Sequence, residues 1–284
     1  MSCSIHFLNT GHSDCIILEI DGKFAMIDAA EDTDYPADKP HLKLKGYEKE
    51  VCDYLLKNCA DKNGMVTLDF ILGTHCHSDH IGGFDTVINH SNIIVKKAFL
   101  KPYYEENVFV MERKRWDNTE VYLQMKNALD SKNIPIIEEF DNYKLNLGDF
   151  NITFFNGSYK KPKRQFGENV NSVVTLVELN GLKALLAGDM NYKNGGEKLI
   201  ADKVGKVDLL KVGHHGYIGS TSFAFVKKLR PEYAIICNTS SKVYPDVCFK
   251  LKYISKSKIY CTEDCNGVKA VFEDEIIINS NIME

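Results

Sequence analysis

The sequence predicts an α/β protein folded as a four-layer αββα sandwich. Two observations point there. The β-rich segments fall into two batches, each accompanied by helical segments. Hairpin-like strands lie towards both ends of the chain with helices between, which asks for two mixed sheets packed face to face and covered outside by helices. No internal repeat, low-complexity tract or flexible linker interrupts residues 1–284, so a single domain is expected.

Residues 4–8 and 15–20 read as strands, and Asp21-Gly22 is a hairpin turn signal. Residues 23–27 return as a third strand that ends at Asp28. Residues 30–46 are polar, contain two prolines and read as a loop. A helix is expected over 47–58, where Val51, Tyr54, Leu55 and Cys59 fall at helical spacing. Residues 69–72 form an apolar strand running into Gly73, and another strand lies at about 93–100. Asn118 or Thr119 can cap a helix to about residue 131, with Val121, Met125, Ala128 and Leu129 on one face. β-rich segments follow at 134–137, 151–155, 173–179 and 183–186. Helices at 195–203, 221–229 and 249–255 then alternate with strands at 207–212, 233–237 and 258–261, and short strands at 269–272 and 275–278 close the chain.

A net charge of −4 does not describe a protein that coats nucleic acid by bulk electrostatics. No apolar stretch approaches the ~20 residues that span a bilayer, and the first residues lack the basic start and apolar run of a secretory signal. No membrane association and a cytoplasmic location are therefore expected. The nine cysteines are scattered without C-x-x-C spacing, so reduced thiols packed as small apolar residues are expected rather than a zinc ribbon.

Chemistry concentrates in Thr74-His75-Cys76-His77-Ser78-Asp79-His80-Ile81-Gly82-Gly83, directly after an apolar strand. Side chains two residues apart in extended chain point the same way, so His75 and His77 can share one metal ion. Asp79 and His80 follow where the chain must turn, and can face a second. Gly82 and Gly83 permit close backbone approach beyond them. Imidazole with carboxylate suits zinc, with manganese or iron as alternatives.

This segment resembles the H-x-H-x-D-H signature of the metallo-β-lactamase superfamily, a specific motif. Met26-Ile27-Asp28 is similar to the strand end whose aspartate buttresses the metal loop in that family. Leu186-Ala187-Gly188-Asp189 is similar to its glycine-aspartate motif, whose carboxylate bridges two metals. Lys211-Val212-Gly213-His214-His215-Gly216 supplies the later histidine ligand; both histidines are candidates, with His214 slightly favoured. Asp28 suits the supporting role because ligating histidines usually donate their other ring nitrogen to a carboxylate or carbonyl.

Further details resemble the ComEC-type domain of DNA-uptake proteins and its stand-alone relatives. They are Asn9-Thr10-Gly11-His12-Ser13-Asp14, Glu168-Asn169-Val170-Asn171-Ser172-Val173, and residues 209–216 followed by Ser220-Thr221-Ser222. The likeness runs from about residue 5 to 273 and is weakest over 100–145. Two departures matter. Asn171 and Ser172 stand where most of the superfamily has a histidine, as in the ComEC branch. No histidine follows His215, where the branch often has one near Tyr244-Pro245. Fewer nitrogen ligands imply one or two divalent ions, the second weakly held.

The expected activity is hydrolysis by metal-activated water. Asp79 and Asp189 are the expected catalytic carboxylates, and Asn171, Ser172 and His12 the expected substrate contacts. The substrate implied by the resemblance is a phosphodiester in nucleic acid. Alternatives are a small-molecule phosphodiesterase, a lactonase or other ester hydrolase, or a non-catalytic metal-binding module serving a partner. Lys160, Lys161, Lys163 and Arg164 form a basic loop just before Asn171, at the expected rim, suited to an anionic substrate. Arg113-Lys114-Arg115-Trp116 carries the only tryptophan, which can stack on a base, although an exposed helix start is the simpler reading. Changing Lys160, Lys161, Lys163 and Arg164 together to Ser should weaken nucleic-acid binding. It should also flatten the salt dependence by roughly one unit of slope per lost phosphate contact. Binding measured at several salt concentrations checks this, and wild-type behaviour at all of them would make the loop a solvated charge run.

Overall fold

The computed structural model describes residues 3–159 and 167–284. The first half of the chain builds one sheet. Strands β1 (Cys3–Phe7), β2 (Cys15–Ile20) and β3 (Lys23–Ala29) run antiparallel in sequence order. After helix α1 (Glu48–Asn58), β4 (Val66–Gly73) lies parallel to β3. Short helices α2 (Ser78–Ile81) and α3 (Phe84–Asn89) lead to β5 (Ile93–Val95) and β6 (Ala98–Leu100). Helices α4 (Val110–Arg115) and α5 (Asn118–Ser131) then precede β7 (Ile136–Ile137), which pairs with β6.

The second sheet begins with β8 (Lys144–Leu147), β9 (Phe150–Phe155), β10 (Val174–Leu179) and β11 (Leu182–Leu186), all antiparallel. Helix α6 (Gly196–Val204) precedes β12 (Leu209–Lys211), α7 (Phe223–Leu229) precedes β13 (Tyr233–Ile236), and α8 (Pro245–Lys250) precedes β14 (Lys258–Cys261). These crossovers make β11 to β14 parallel. The chain then returns to the first sheet, where β15 (Val268–Phe272) pairs with β1 and β16 (Ile276–Ser280) forms the edge.

Both sheets are covered on both faces, so their strands read as nearly continuous apolar runs. The period-two rule still sorts the side chains. Ile16, Leu18 and Ile20 of β2 meet Phe150, Ile152 and Phe154 of β9 in the core between the sheets, while Cys15 and Ile17 face the helices over sheet one. Val177 and Ile235 join the central core, whereas Leu176, Ala234 and Ile236 pack beneath α6 and α7. The result is the expected αββα sandwich.

Three local expectations are corrected. The single strand at 93–100 is two strands, β5 and β6, each parallel to a different stretch of β4. They break at Lys96 and Lys97, whose backbone still bonds Leu68 and Ile71. The helix expected at 249–255 begins at Pro245, whose fixed φ favours the first helical position, and it widens into a π-turn over Leu251–Ser255. At the start of α5 the capping position belongs to Asp117; Asn118 lies inside the helix, buried, and donates from Nδ2 to Glu112. Among the described residues no helix is long and apolar enough to cross a membrane.

Phe154 is fully buried between the sheets and meets the rings of Phe70, Phe99 and Phe140 at centroid distances of 4.9–5.9 Å. Phe154→Ala should therefore cost about 3–5 kcal/mol of unfolding free energy in a urea titration. A loss below about 1 kcal/mol would mean that the two sheets do not share this core.

Candidate metal centre

The parallel pairing of β3 with β4 and of β11 with β12 and β13 brings five strand ends to one edge of the sandwich. Asp28 stands at the end of β3, Thr74 and His75 follow β4, Asp189 follows β11, and His215 follows β12. Asp14 immediately precedes β2, and α2 supplies Asp79 and His80. The tight approach of α2 to β3 depends on glycine: a Cβ on Gly83 would collide with the carbonyl oxygen of Ala29. Gly188 takes a positive φ of 51°, and a Cβ there would lie 3.2 Å from Ser172 and from the Val173 carbonyl oxygen.

Four lone-pair atoms converge at this edge. His80 Nε2 lies 3.2 Å from His215 Nε2, and each is 3.3 Å from Asp189 Oδ1. His215 Nε2 is also 3.3 Å from Asp79 Oδ2. Zinc ligands at about 2.0–2.1 Å in a tetrahedral site stand roughly 3.3 Å apart. The opposite ring nitrogens have acceptor partners. His80 Nδ1 lies 2.7 Å from Asp28 Oδ2, and His215 Nδ1 faces the Cys237 carbonyl oxygen at 3.2 Å. Placing the ring protons on those Nδ1 atoms leaves both Nε2 atoms bare. Asp189 Oδ1 is buried with no hydrogen-bond partner. A divalent cation answers such a set of facing acceptors, so Asp79, His80 and His215 fit one metal ion, with Asp189 Oδ1 within 3.3 Å of both ring nitrogens.

The second position holds fewer donors. His75 Nε2 and His77 Nδ1 are 3.0 Å apart, and His77 Nε2 faces Glu112 Oε1 at 3.0 Å, which leaves His77 Nδ1 bare. His75 also groups with His80 and Asp189. Ser172 Oγ approaches His75 Nδ1 at 3.3 Å and accepts from the Asp189 backbone at 3.1 Å, so it supports the cluster from behind. The fuller ligand set thus surrounds the ion that the sequence left optional, and the sparser set belongs to His75 and His77.

The charge balance favours a cation. Burial alone would lower the pKa of His80, but Asp189, Asp28, Asp79 and Asp14 outweigh it and push it well above its usual value. Burial likewise opposes protonation of His215, and Asp189 and Asp14 outweigh it. A divalent ion supplies the positive charge that these carboxylates demand without protonating either ring. Behind the centre, buried Lys211 pairs with Asp14 and donates to the Gly188 carbonyl oxygen at 2.9 Å. Burial would raise the Asp14 carboxyl, yet Lys211, His215 and His80 hold it at about 2. Burial and then Asp79 push Glu31 up to about 9, so it carries a proton at neutral pH.

The cluster forms one wall of a cavity of about 680 Å³, also lined by His12, Glu31, Phe109, Trp116, Asn169 and Tyr217. His12 therefore sits where a substrate contact was expected. His214 lines the cavity but stays outside the cluster, its Nδ1 facing the Ile218 carbonyl oxygen at 3.1 Å; His215 is the one that joins Asp79 and His80 in a group able to hold a metal ion. Asn171 and Ser172 are not on this wall: Asn171 Nδ2 donates to Glu168 at 2.8 Å, and Ser172 is buried. Asn169 takes that place, with its Oδ1 unpartnered. Lys160, Lys161, Lys163 and Arg164 lie outside the described residues. Sequence reasoning missed Asp14, Glu31, Glu112 and Lys211. Lys211 carried a signal, a lone charge beside Leu209, Leu210 and Val212; Glu112 carried none.

The family model described as the metallo-beta-lactamase superfamily matches residues 8–239. Recombination protein 2 of Haemophilus influenzae is 44% identical over 191 residues, covering 66% of this chain and 19% of that protein. ComE operon protein 3 of Bacillus subtilis is 27% identical over 176 residues, covering 61% and 20%. The chain thus spans about a fifth of the length of these curated relatives. Among solved structures, the metallo-beta-lactamase fold protein YhfI of Bacillus subtilis superposes with a TM-score of 0.57 at 10% identity. It covers 96% of this chain and all of that one, a likeness of fold.

His215→Ala should lower bound metal as measured by elemental analysis, while His214→Ala should leave it unchanged. Dialysis should empty the His75 and His77 position first, because it has fewer donors. Equal loss in the two variants would remove the distinction drawn between the two histidines.

Proposed function

The chain belongs to the metallo-β-lactamase superfamily of metal-dependent hydrolases, and from that premise we propose that it hydrolyses phosphodiesters of nucleic acid. The observation that carries this reading is the cluster of imidazoles and carboxylates on one wall of a cavity whose other walls include Phe109, Trp116 and Tyr217. Such a cavity offers a charged end to a phosphate and aromatic faces to a base. The names of the curated relatives, a recombination protein and a competence-operon protein, support a nucleic-acid substrate. A small phosphodiester is the second reading, favoured by a volume in the range of small-molecule sites.

A divalent ion held by these side chains would bring the pKa of a water to about 7 and polarise a phosphoryl oxygen. The chain's own residues do the rest. Asp79 and Asp189 would hold the ions and orient the attacking oxygen. Asp28 fixes the ring of His80. The amides of Asn169 and Asn191, both with unpartnered oxygens, and the side chain of Lys193 border the cavity, where a substrate would lie. The proposal includes zinc, with manganese or iron as alternatives, and a reducing cytoplasmic setting, which the nine free thiols support.

The test supplies zinc or manganese and follows labelled single- and double-stranded DNA, RNA and bis-(p-nitrophenyl) phosphate. Turnover should stop on chelation. Asp189→Ala should lose roughly three orders of magnitude, matching several kcal/mol of transition-state stabilisation, while circular dichroism stays unchanged. A metal-loaded protein that cleaves none of these substrates would refute the phosphodiester reading, leaving the metal centre in place.

A further inference from the structure

Helix α4 lies over the cavity with little apolar packing of its own. None of its residues is buried, and Val110 and Met111 point to solvent. Polar anchors hold it instead. Lys39 donates to the Trp116 carbonyl oxygen at 2.8 Å, and the His41 ring meets the Arg115 carbonyl oxygen at 2.7 Å. The third anchor is Glu112. Its Oε1 faces His77 Nε2 at 3.0 Å and accepts from Asn118 Nδ2 at 3.1 Å and the Glu168 backbone at 2.8 Å. One carboxylate oxygen thus joins α4, the start of α5, the 167–172 segment and a histidine of the sparser metal position.

We propose that Glu112 is a positioning residue: it sets His77 for metal, and through it a bound cation holds α4 in place against the cavity. The first half follows from ring chemistry. By accepting a hydrogen bond from Nε2–H, Glu112 fixes the tautomer that leaves Nδ1 bare towards His75, and a carboxylate in this place makes the imidazole a better donor to the metal. The second half follows from reciprocity. If Glu112 strengthens metal binding at His77, metal binding strengthens the anchor of α4 by the same factor. Phe109 and Trp116 flank α4 and line the cavity, so the wall that meets the substrate would firm up only around a loaded site. This rests on the metal-centre reading alone and does not require that the substrate be a nucleic acid.

The single tryptophan makes the test direct. Zinc would be titrated into wild type, Glu112→Ala and Glu112→Gln of the full chain against a chromophoric chelator, and Trp116 emission followed alongside. Glu112→Ala should weaken zinc binding at the sparser position about 10- to 100-fold. Glu112→Gln, which still accepts hydrogen bonds but lacks the charge, should fall between. Zinc should shift Trp116 emission in wild type and not in Glu112→Ala. Glu105→Gln, an exposed neighbour outside the site, should match wild type. If both Glu112 variants bind zinc within twofold of wild type and show the wild-type emission shift, Glu112 is only a structural staple, whatever happens to the melting temperature. Should Glu112→Ala fail to fold, Glu112→Gln with wild-type zinc affinity overturns the proposal by itself. A wild-type protein that takes up no zinc would overturn the metal centre and this proposal together, a result distinct from a zinc-loaded protein without phosphodiesterase activity.

Discussion

Lone pairs of neutral imidazoles and carboxylates do not normally face one another in a protein interior without a proton or a cation between them, because each gives up water for nothing in return. Here His80 Nε2, His215 Nε2, Asp189 Oδ1 and Asp79 Oδ2 do so at 3.2–3.3 Å. The surrounding structure enforces the conflict. Asp28 and the Cys237 carbonyl oxygen occupy the other ring nitrogens, so neither ring, while neutral, can turn its proton inwards without losing a partner. Lys211, deep behind the cluster, pairs with Asp14 and keeps that carboxylate ionised against its burial. Such an arrangement is costly unless a cation completes it, and the neighbouring groups serve to keep it in shape.

The sandwich supplies the rigidity that this requires. Each sheet contributes part of the site, Asp28 and the 74–80 segment from the first, Asp189 and His215 from the second. The two parts meet because the parallel strands of both sheets end at the same edge. A shared aromatic and aliphatic core of Phe70, Phe99, Phe140, Phe150 and Phe154 locks the sheets together. Backbone strain appears at this edge: Asp28, His214 and His215 all have φ between 48° and 57°, a region costing of order 1–3 kcal/mol for each residue other than glycine. Such residues persist where tertiary packing over-determines them, as it does beneath this cluster.

The cavity itself is acidic and aromatic, with Asp79, Glu112 and Asp189 on its walls and Phe109, Trp116 and Tyr217 around them. An anion would be repelled from these walls alone. Apart from Lys193, attraction would come from a cation held by these walls, so metal binding and substrate binding would be linked by elementary electrostatics. The same reasoning explains how a chain of net charge −4 can be read as acting on a phosphodiester.

Much of this was legible in the linear sequence. The alternation of apolar runs, turn signals and amphipathic helices predicted two covered sheets, and the crowding of His75, His77, Asp79 and His80 after an apolar strand marked a metal site, because metal ligands from one loop must be close in sequence. Asp28 and Asp189 were legible as strand-end carboxylates through their resemblance to a family pattern. What sequence spacing could not decide was which groups meet from distant segments. His214 and His215 are adjacent in the chain, and only the left-handed turn after β12 directs His215 inwards. Asn169 rather than Asn171 faces the cavity because a short 3-10 turn rotates successive side chains to different sides. Glu112 sits 35 positions from His77, and Lys211 sits 197 positions from Asp14. Sequence alone therefore determined the layers and the ligand-rich loop, since periodicity and local clustering are properties of neighbouring residues. Only the tertiary structure decided the ligand partners, their tautomers and the charge balance, since those depend on distances between residues that the chain itself keeps far apart.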